Sequence, residues 1–309
     1  MSEPPHEDTT AFVFCGGAGL GALQVGMLRA LVERGIRPDI VTGTSSGAIN
    51  ALVFAADPTM DAVERLERLW LSVRRRDLFR VNPWTVGRAV LGGGTHLAGS
   101  THIHRVLAST LPVARIEDTK IPLAITLTDT ASRRQVVVHA GDALQTVMAS
   151  SAVPGLFPAV RIGGREYIDG GITSDPPIAP AVELGATRAF VMPVGWPITE
   201  PFEGNAVLRI ADTIDWLCWR IADFELERAS ERCRIELLPS PSTRMMTPFD
   251  LRATRRLIDE AYERTSAWLE LPPGDRTWTP GGDRTPAAAD RARRPERTRR
   301  LLGRFRRSG

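Results

Sequence analysis

Along the chain, short apolar runs alternate with longer stretches in which apolar residues recur every three or four positions. Runs at 11–15, 39–42, 122–128, 135–139, 159–162, 166–168 and 188–194 read as strands. Between the first two, 22–34 has helical spacing, with Leu23, Met27, Leu28 and Leu31 on one face and Gly35 as the stop. Further helical stretches cover 48–56, 61–73, 101–110, 142–150, 177–184, 205–232 and 250–269. The runs on either side of Gly163-Gly164 read as a hairpin, as do 122–128 with 135–139. Helices interleaved with apolar strands predict one α/β domain with a mostly parallel sheet.

Polar punctuation marks what falls outside that pattern. Residues 77–99 hold Pro83, Trp84 and Gly92-Gly93-Gly94 and read as a long irregular excursion, of the length that often forms a lid or binding loop. From 272 the chain is rich in Pro, Gly, Ala and Arg without a period and reads as disordered. The expected division is a disordered N-terminus at 1–10, a folded domain at 11–271 and a disordered arginine-rich tail at 272–309. With 309 residues, 43% of them hydrophobic, the chain can bury one large α/β core.

The net charge of +3 hides an asymmetry, because 284–309 carries ten arginines against Asp290 and Glu296 and leaves the rest net negative. Such a tail is suited to peripheral contact with anionic lipid, and nothing in it reads nucleic acid specifically. Residues 210–224, with Ile214, Trp216, Leu217, Trp219 and Ile221, read as a buried core helix, with a lipid-facing helix as the alternative. Cys15, Cys218 and Cys233 form no Cys-x-x-Cys pair, so neither a disulfide framework nor a cysteine metal site is expected. The chain shows no signal-peptide pattern and no membrane-span pattern. The expectation is a cytoplasmic protein, peripheral at most to the inner membrane surface.

The candidate chemistry centres on Gly43-Thr44-Ser45-Ser46-Gly47, which follows an apolar strand and opens a helix. Strand, sharp turn with a central serine, then helix is the setting of a nucleophile elbow. Its small residues let the backbone hold Ser45 in a strained turn with the hydroxyl exposed. A plain tight turn is the alternative for these five residues.

A serine nucleophile needs a base and preplaced N–H donors. Cys15-Gly16-Gly17-Ala18-Gly19-Leu20-Gly21 leaves a strand and opens a helix, so its amides are candidate donors. The same glycines fit a dinucleotide fingerprint, but that needs an acidic residue at the end of the second strand. Asp39 stands at its start. For the base, Asp169 ends a strand and precedes Gly170-Gly171. None of the five histidines (His6, His96, His102, His104, His139) follows Asp169. An α/β-hydrolase order of Ser45, Asp129 and His139 stays open on paper, although Ser45 follows only the second strand.

These segments resemble the patatin-like phospholipases, which pair a glycine-rich oxyanion loop, a Gly-x-Ser-x-Gly serine and an Asp-Gly-Gly aspartate in this order. The resemblance runs over about 11–194 and includes 149–158 and Asp175-Pro176-Pro177. It implies a three-layer fold with a central, mostly parallel sheet flanked by helices. It also implies a Ser45–Asp169 dyad without histidine, and oxyanion donors at Gly16, Gly17 and Ala18. The implied substrate is a lipid or phospholipid ester, with no metal or organic cofactor. Two positions depart from the family loop, Ala18 for glycine and Leu20 for a basic residue, and Asp175 stands where the family often has asparagine. The departures keep open a weakly active or inactive module that binds lipid or a protein partner.

Overall fold

The computed structural model describes residues 8–73, 96–194, 206–241 and 251–280. Most of the expected excursion, the arginine-rich stretch at 284–309 and the side chains of Ile214, Trp216 and Trp219 lie outside the described residues.

Eight strands build one sheet: β1 (Thr10–Phe14), β2 (Ile40–Gly43), β3 (Leu123–Asp129), β4 (Gln135–Val138), β5 (Val160–Ile162), β6 (Arg165–Asp169), β7 (Arg188–Met192) and β8 (Arg234–Leu237). Their order is β5-β6-β3-β2-β1-β7-β8, with β4 also paired to β3. The pairs from β3 through β2, β1 and β7 to β8 are parallel. Those made by β4, β5 and β6 are antiparallel. The central sheet is therefore mostly parallel, as the alternation of runs predicted.

The helices are α1 (Leu23–Glu33), α2 (Ser46–Ala56), α3 (Met60–Ser72), α4 (Thr101–Thr110), α5 (Ala143–Ser150), α6 (Ile178–Glu183), α7 (Ala206–Ser230), α8 (Thr254–Leu269) and α9 (Pro273–Arg276). They cover both faces. Phe12 and Phe14 of β1 join a core built with α1, α2, α3 and α8, while Ala11 and Val13 join another built with α6 and α7. Phe12 stacks on Phe54 with ring centroids 5.9 Å apart and meets the edge of Phe190. Burial on both faces is why β1 reads as an unbroken apolar run rather than an alternating one.

Three expectations change. The strand β8 was not expected, because Arg234 and Glu236 mask its period. Glu236 is fully buried and is paired by Arg188 and, at longer range, by Arg276 and Arg234. The chain does not leave the fold at 271: α9 follows, and the Trp278 amide donates to Ile235 O at 2.7 Å, so this segment lies along β8. Finally, α7 is not buried all round. Leu217, Ile221 and Phe224 form a solvent-facing stripe, while Ala222, Leu226 and Ala229 face the core.

Candidate active site

The sheet register brings the serine and the aspartate together. β4 pairs with residues 125–128 of β3 and takes one edge of that strand. β2 and β6 must therefore share the other edge. Gly43, the last residue of β2, lies opposite Ile125, and Asp169, the last residue of β6, lies opposite Leu127. The two strands run toward each other along β3 and stop with Thr126 between their ends. Residues just past each end are forced into one place although 124 positions separate Ser45 from Asp169.

Both ends are built for close approach. Ser45 caps α2 with φ 53° and ψ −127°, a left-handed conformation that costs a non-glycine residue about 1–3 kcal/mol. Gly47 lets the first turn of α2 press on the end of β1, since a Cβ there would lie 2.3 Å from Phe14 O. At the other end a Cβ on Gly170 would lie 2.1 Å from Thr126 O. Ser45 stands at φ 53° where β2 turns into α2, the strand–turn–helix setting that the sequence pattern predicted.

Ser45 Oγ donates to Asp169 Oδ2 at 2.7 Å. Asp169 Oδ1 accepts from the Gly171 amide at 2.8 Å, which fixes the carboxyl plane. Both residues are buried, with 7% of Ser45 and 5% of Asp169 exposed. Burial pushes Asp169 up to about 6, against the opposing pull of the Ser45 hydroxyl and the Gly171 amide. A carboxyl at that value is a far better proton acceptor than an ordinary aspartate, and it is still ionised at neutral pH.

The glycine loop lies beside Ser45, but one expected donor points elsewhere. The Gly16 amide donates to both oxygens of Asp175, at 3.1 and 3.2 Å, and is taken out of the oxyanion set. The reason is the Asp175 carboxyl, which intercepts it. Residues Ala18–Ala22 form a short 3-10 helix with Gly17 as its cap. The amides of Gly17, Ala18 and Gly19 therefore have no partner within that helix, whereas Leu20 N donates to Gly17 O. Ala18 holds φ 51°, the conformation a glycine would take without strain. Leu20 is buried in the core, so the family's basic position is here an apolar packing position.

An apolar cavity, open at its mouth, runs from Ser45 between α2, α4 and α5. Ala18, Gly19, Ile49, Trp70, Ile103, Met148 and Phe157 are among its lining residues, and its wall is almost wholly apolar. No histidine lines it among the described residues.

The histidine alternative fails in detail. His139 is exposed beyond the end of β4. Asp129 spends its carboxylate on the amides of Ala131 and Ser132 and on Arg165, and the Ser132 amide foremost holds it below the ordinary aspartate value. The dinucleotide reading fails as well: Asp39 accepts from the Thr10 amide at 2.8 Å, at the opposite end of β2 from the loop.

Sequence reasoning missed three supporting side chains. Ser150 Oγ accepts from the Ser45 amide at 2.9 Å and donates to Thr126 O at 2.8 Å. Asn50 accepts from the Trp70 indole N–H and donates to Gly21 O and to Gln24 Oε1. Gln24 in turn donates to Cys15 O and Met192 O. This buried network ties the cavity wall to both ends of the glycine loop. The available signal was a lone amide in an otherwise apolar helical run, at Gln24 between Leu23 and Val25 and at Asn50 between Ile49 and Ala51.

Among known proteins, the family model described as "Patatin-like phospholipase" matches residues 12–182 of this chain. The chain belongs to the patatin-like phospholipase family. It is 29% identical over 192 residues to "Lysophospholipase NTE1" of Mycosarcoma maydis, covering 59% of this chain and 9% of that protein. It is 31% identical over 189 residues to "Patatin-like phospholipase domain-containing protein 7" of Rattus norvegicus, covering 60% of this chain and 13% of that one. The chain thus spans about a tenth of the length of these curated relatives. Among solved structures, VipD from Legionella pneumophila aligns over 84% of this chain and 66% of its own, at 16% identity and a TM-score of 0.42.

Proposed function

We propose that this chain is a serine acyl hydrolase that cleaves fatty-acyl esters of lipids, with Ser45 as nucleophile and Asp169 as base. The observation that carries the reading is the 2.7 Å hydrogen bond from Ser45 Oγ to a buried carboxylate at the head of an apolar cavity. Membership of the patatin-like phospholipases and the names of the curated relatives agree with it.

In the first half-reaction Ser45 Oγ attacks the ester carbonyl while its proton passes to Asp169 Oδ2. The amides of Gly17, Ala18 and Gly19 hold the negative oxygen as the tetrahedral centre forms. The ester C–O bond then breaks, and the leaving alkoxide takes the proton from Asp169. In the second half, water gives a proton to Asp169 as it attacks the acyl-Ser45 carbonyl. Ser45 leaves, recovers that proton, and a fatty acid is released. The cavity wall of Ile49, Trp70, Ile103 and Met148 takes the acyl chain, whose burial is worth about 0.8 kcal/mol per methylene.

The catalytic unit in this reading runs from Thr10 to about residue 280, with the arginine-rich stretch beyond it as a peripheral contact for anionic lipid. Among the described residues no helix is long and apolar enough to cross a membrane. The test is labelling by a fluorophosphonate probe together with fatty-acid release from a panel of lysophospholipids, phospholipids and neutral esters. The expected result is labelling and release by the unmutated chain and neither by Ser45→Ala. Absence of both from the unmutated chain would make it a lipid- or partner-binding member of the family instead.

A further inference from the structure

The Gly16 amide, taken out of the oxyanion set, has a use of its own. We propose that Asp175 is a positioning residue for the glycine loop: its carboxyl grips the Gly16 amide and holds the loop's entry against Ser45. The catalytic part of this inference rests on the acyl-hydrolase reading; the grip itself does not.

Three contacts carry it. Both Asp175 oxygens lie within 3.2 Å of Gly16 N. A Cβ placed on Gly16 would fall 3.1 Å from Asp175 Oδ2 and 3.3 Å from Ser45 Cβ, so the Gly16 backbone is sandwiched between the two residues. On its other side Asp175 borders Gly171, whose Cα hydrogens face it and whose amide holds Asp169. One side chain thus spans the two segments that the chemistry must keep in register: the loop that carries the donors and the turn that carries the base.

Gly16 is the hinge between β1 and the donors that follow. With its amide held, the amides of Gly17, Ala18 and Gly19 start their short helix from a fixed point. Released, the entry to the loop keeps the Gln24 bond to Cys15 O, the Cys15 amide bond to Met192 O and its packing on Ser45 and Val194, but loses its tie to the segment that follows the base. A shift of about 1 Å in positioned groups can cost about 100-fold in rate.

The position also explains a departure from the family. An asparagine offers one amide oxygen to the same N–H, so either residue can grip; only the aspartate titrates. The titratable groups that face Asp175 among the described residues are the Cys15 thiol, just past the end of β1, and Asp169. Although the residue keeps part of its surface in solvent, its carboxyl is enclosed. Burial pushes it up to about 7, opposed by the Gly16 amide and reinforced by the charge of Asp169.

The test compares Asp175→Ala and Asp175→Asn with the unmutated full chain. Cys15-Gly16 is the only Cys-Gly step in the sequence, so carbonyl-13C cysteine with 15N glycine labelling isolates the Gly16 amide as a single resonance. The expected result is a Gly16 resonance that moves with pH near neutrality in the unmutated chain. In Asp175→Asn it should stay near the same position without moving, and in Asp175→Ala it should be displaced or broadened. In turnover, Asp175→Ala should lower kcat about 10- to 100-fold with KM nearly unchanged, and Asp175→Asn should restore most of the loss. A Gly16 resonance that titrates identically in Asp175→Ala would overturn the proposal, as would an asparagine variant as impaired as the alanine one. The resonance decides the grip even in a chain that hydrolyses nothing, so the two readings fail separately.

Discussion

The amide of Ser45 donates to Ser150 Oγ at 2.9 Å, and that hydroxyl in turn donates to Thr126 O at 2.8 Å. Thr126 is the residue of β3 left between the facing ends of β2 and β6. Ser150 therefore fills the gap in the sheet and holds the strained turn in the same act. Removing its hydroxyl leaves a buried N–H and a buried carbonyl without that partner, at about 1–3 kcal/mol each. Ser150→Ala should lower the melting temperature by roughly 5 °C or more. It should also lower turnover about tenfold, with fluorophosphonate labelling slowed rather than abolished. The neighbouring Ser151 is the control: its hydroxyl is buried without a partner, so Ser151→Ala should melt at or above the unmutated temperature.

Asp169 sets an opposition between activity and stability. Its carboxyl is raised to about 6 in the fold, so the folded chain prefers it protonated. The stability this contributes is fully present below the ordinary aspartate value and is lost as pH rises through about 6. Activity has the opposite sign, because only the carboxylate can accept the Ser45 proton. Fatty-acid release should fall about tenfold for each pH unit below 6 and reach a plateau above it. Asp169→Asn should abolish release at every pH, by at least about 100-fold. The same variant should melt higher than the unmutated chain at pH 8, because the asparagine Oδ1 still accepts from Gly171 and no charge is buried. A lower melting temperature at pH 8 would show that the burial cost assigned to this carboxylate is wrong.

How much of this was legible in the sequence varies from residue to residue. The central strands and the elbow were, because a strand buried on both faces and a glycine-flanked serine each leave a strong local pattern. Asp169 was a candidate base for Ser45 because it ends a strand before two glycines, and the family resemblance paired the two as a dyad. Nothing local states that β2 and β6 share an edge of β3; that follows from pairing register. The Gly16 amide was assigned to the oxyanion because its neighbours were, and its diversion depends on Asp175, which is 159 positions away. Ser150, Gln24 and Asn50 look like ordinary helix residues until their partners are known. The strand β8 escaped because its alternation is between Ile235 and Leu237 on one side and Arg234 and Glu236 on the other. Such a pattern reads as a polar turn unless the buried carboxylate is known to be paired.

The apolar cavity sets an expectation for acyl length. Ile49, Trp70 and Ile103 line the cavity at Ser45 and also a second apolar recess, formed with Val106 and Leu107. Trp70 is held by its indole bond to Asn50 and Ile49 lies on α2 close behind Ser45, so Ile103 on α4 is the shared wall residue to enlarge. Ile103→Trp should fill the passage between the two spaces. We expect kcat/KM for esters of long fatty acids to fall about tenfold or more, while esters of acetic and butyric acid are cleaved nearly as before. Equal losses across all chain lengths would place the acyl chain elsewhere.

The C-terminal boundary offers a test that does not depend on catalysis. Arg276 approaches the buried Glu236, the Thr277–Glu236 bridge extends the sheet, and Trp278 packs against the core under α7 while its amide bonds Ile235 O. Together these cover the outer edge of β8, which would otherwise present unpaired backbone to solvent. A chain ending at 271 loses all of them; one ending at 280 keeps them. Loss of one partner of a buried carboxylate, of an edge bond and of an aromatic contact should together destabilise by about 2–4 kcal/mol. The chain ending at 271 should therefore melt several degrees below the one ending at 280 and tend to self-associate through β8. The chain ending at 280 should match the full-length protein in melting temperature, and size-exclusion chromatography alongside thermal denaturation reads both outcomes. Equal melting temperatures for the two truncated chains would return the boundary to 271 and leave Glu236 adequately held by Arg188 and Arg234.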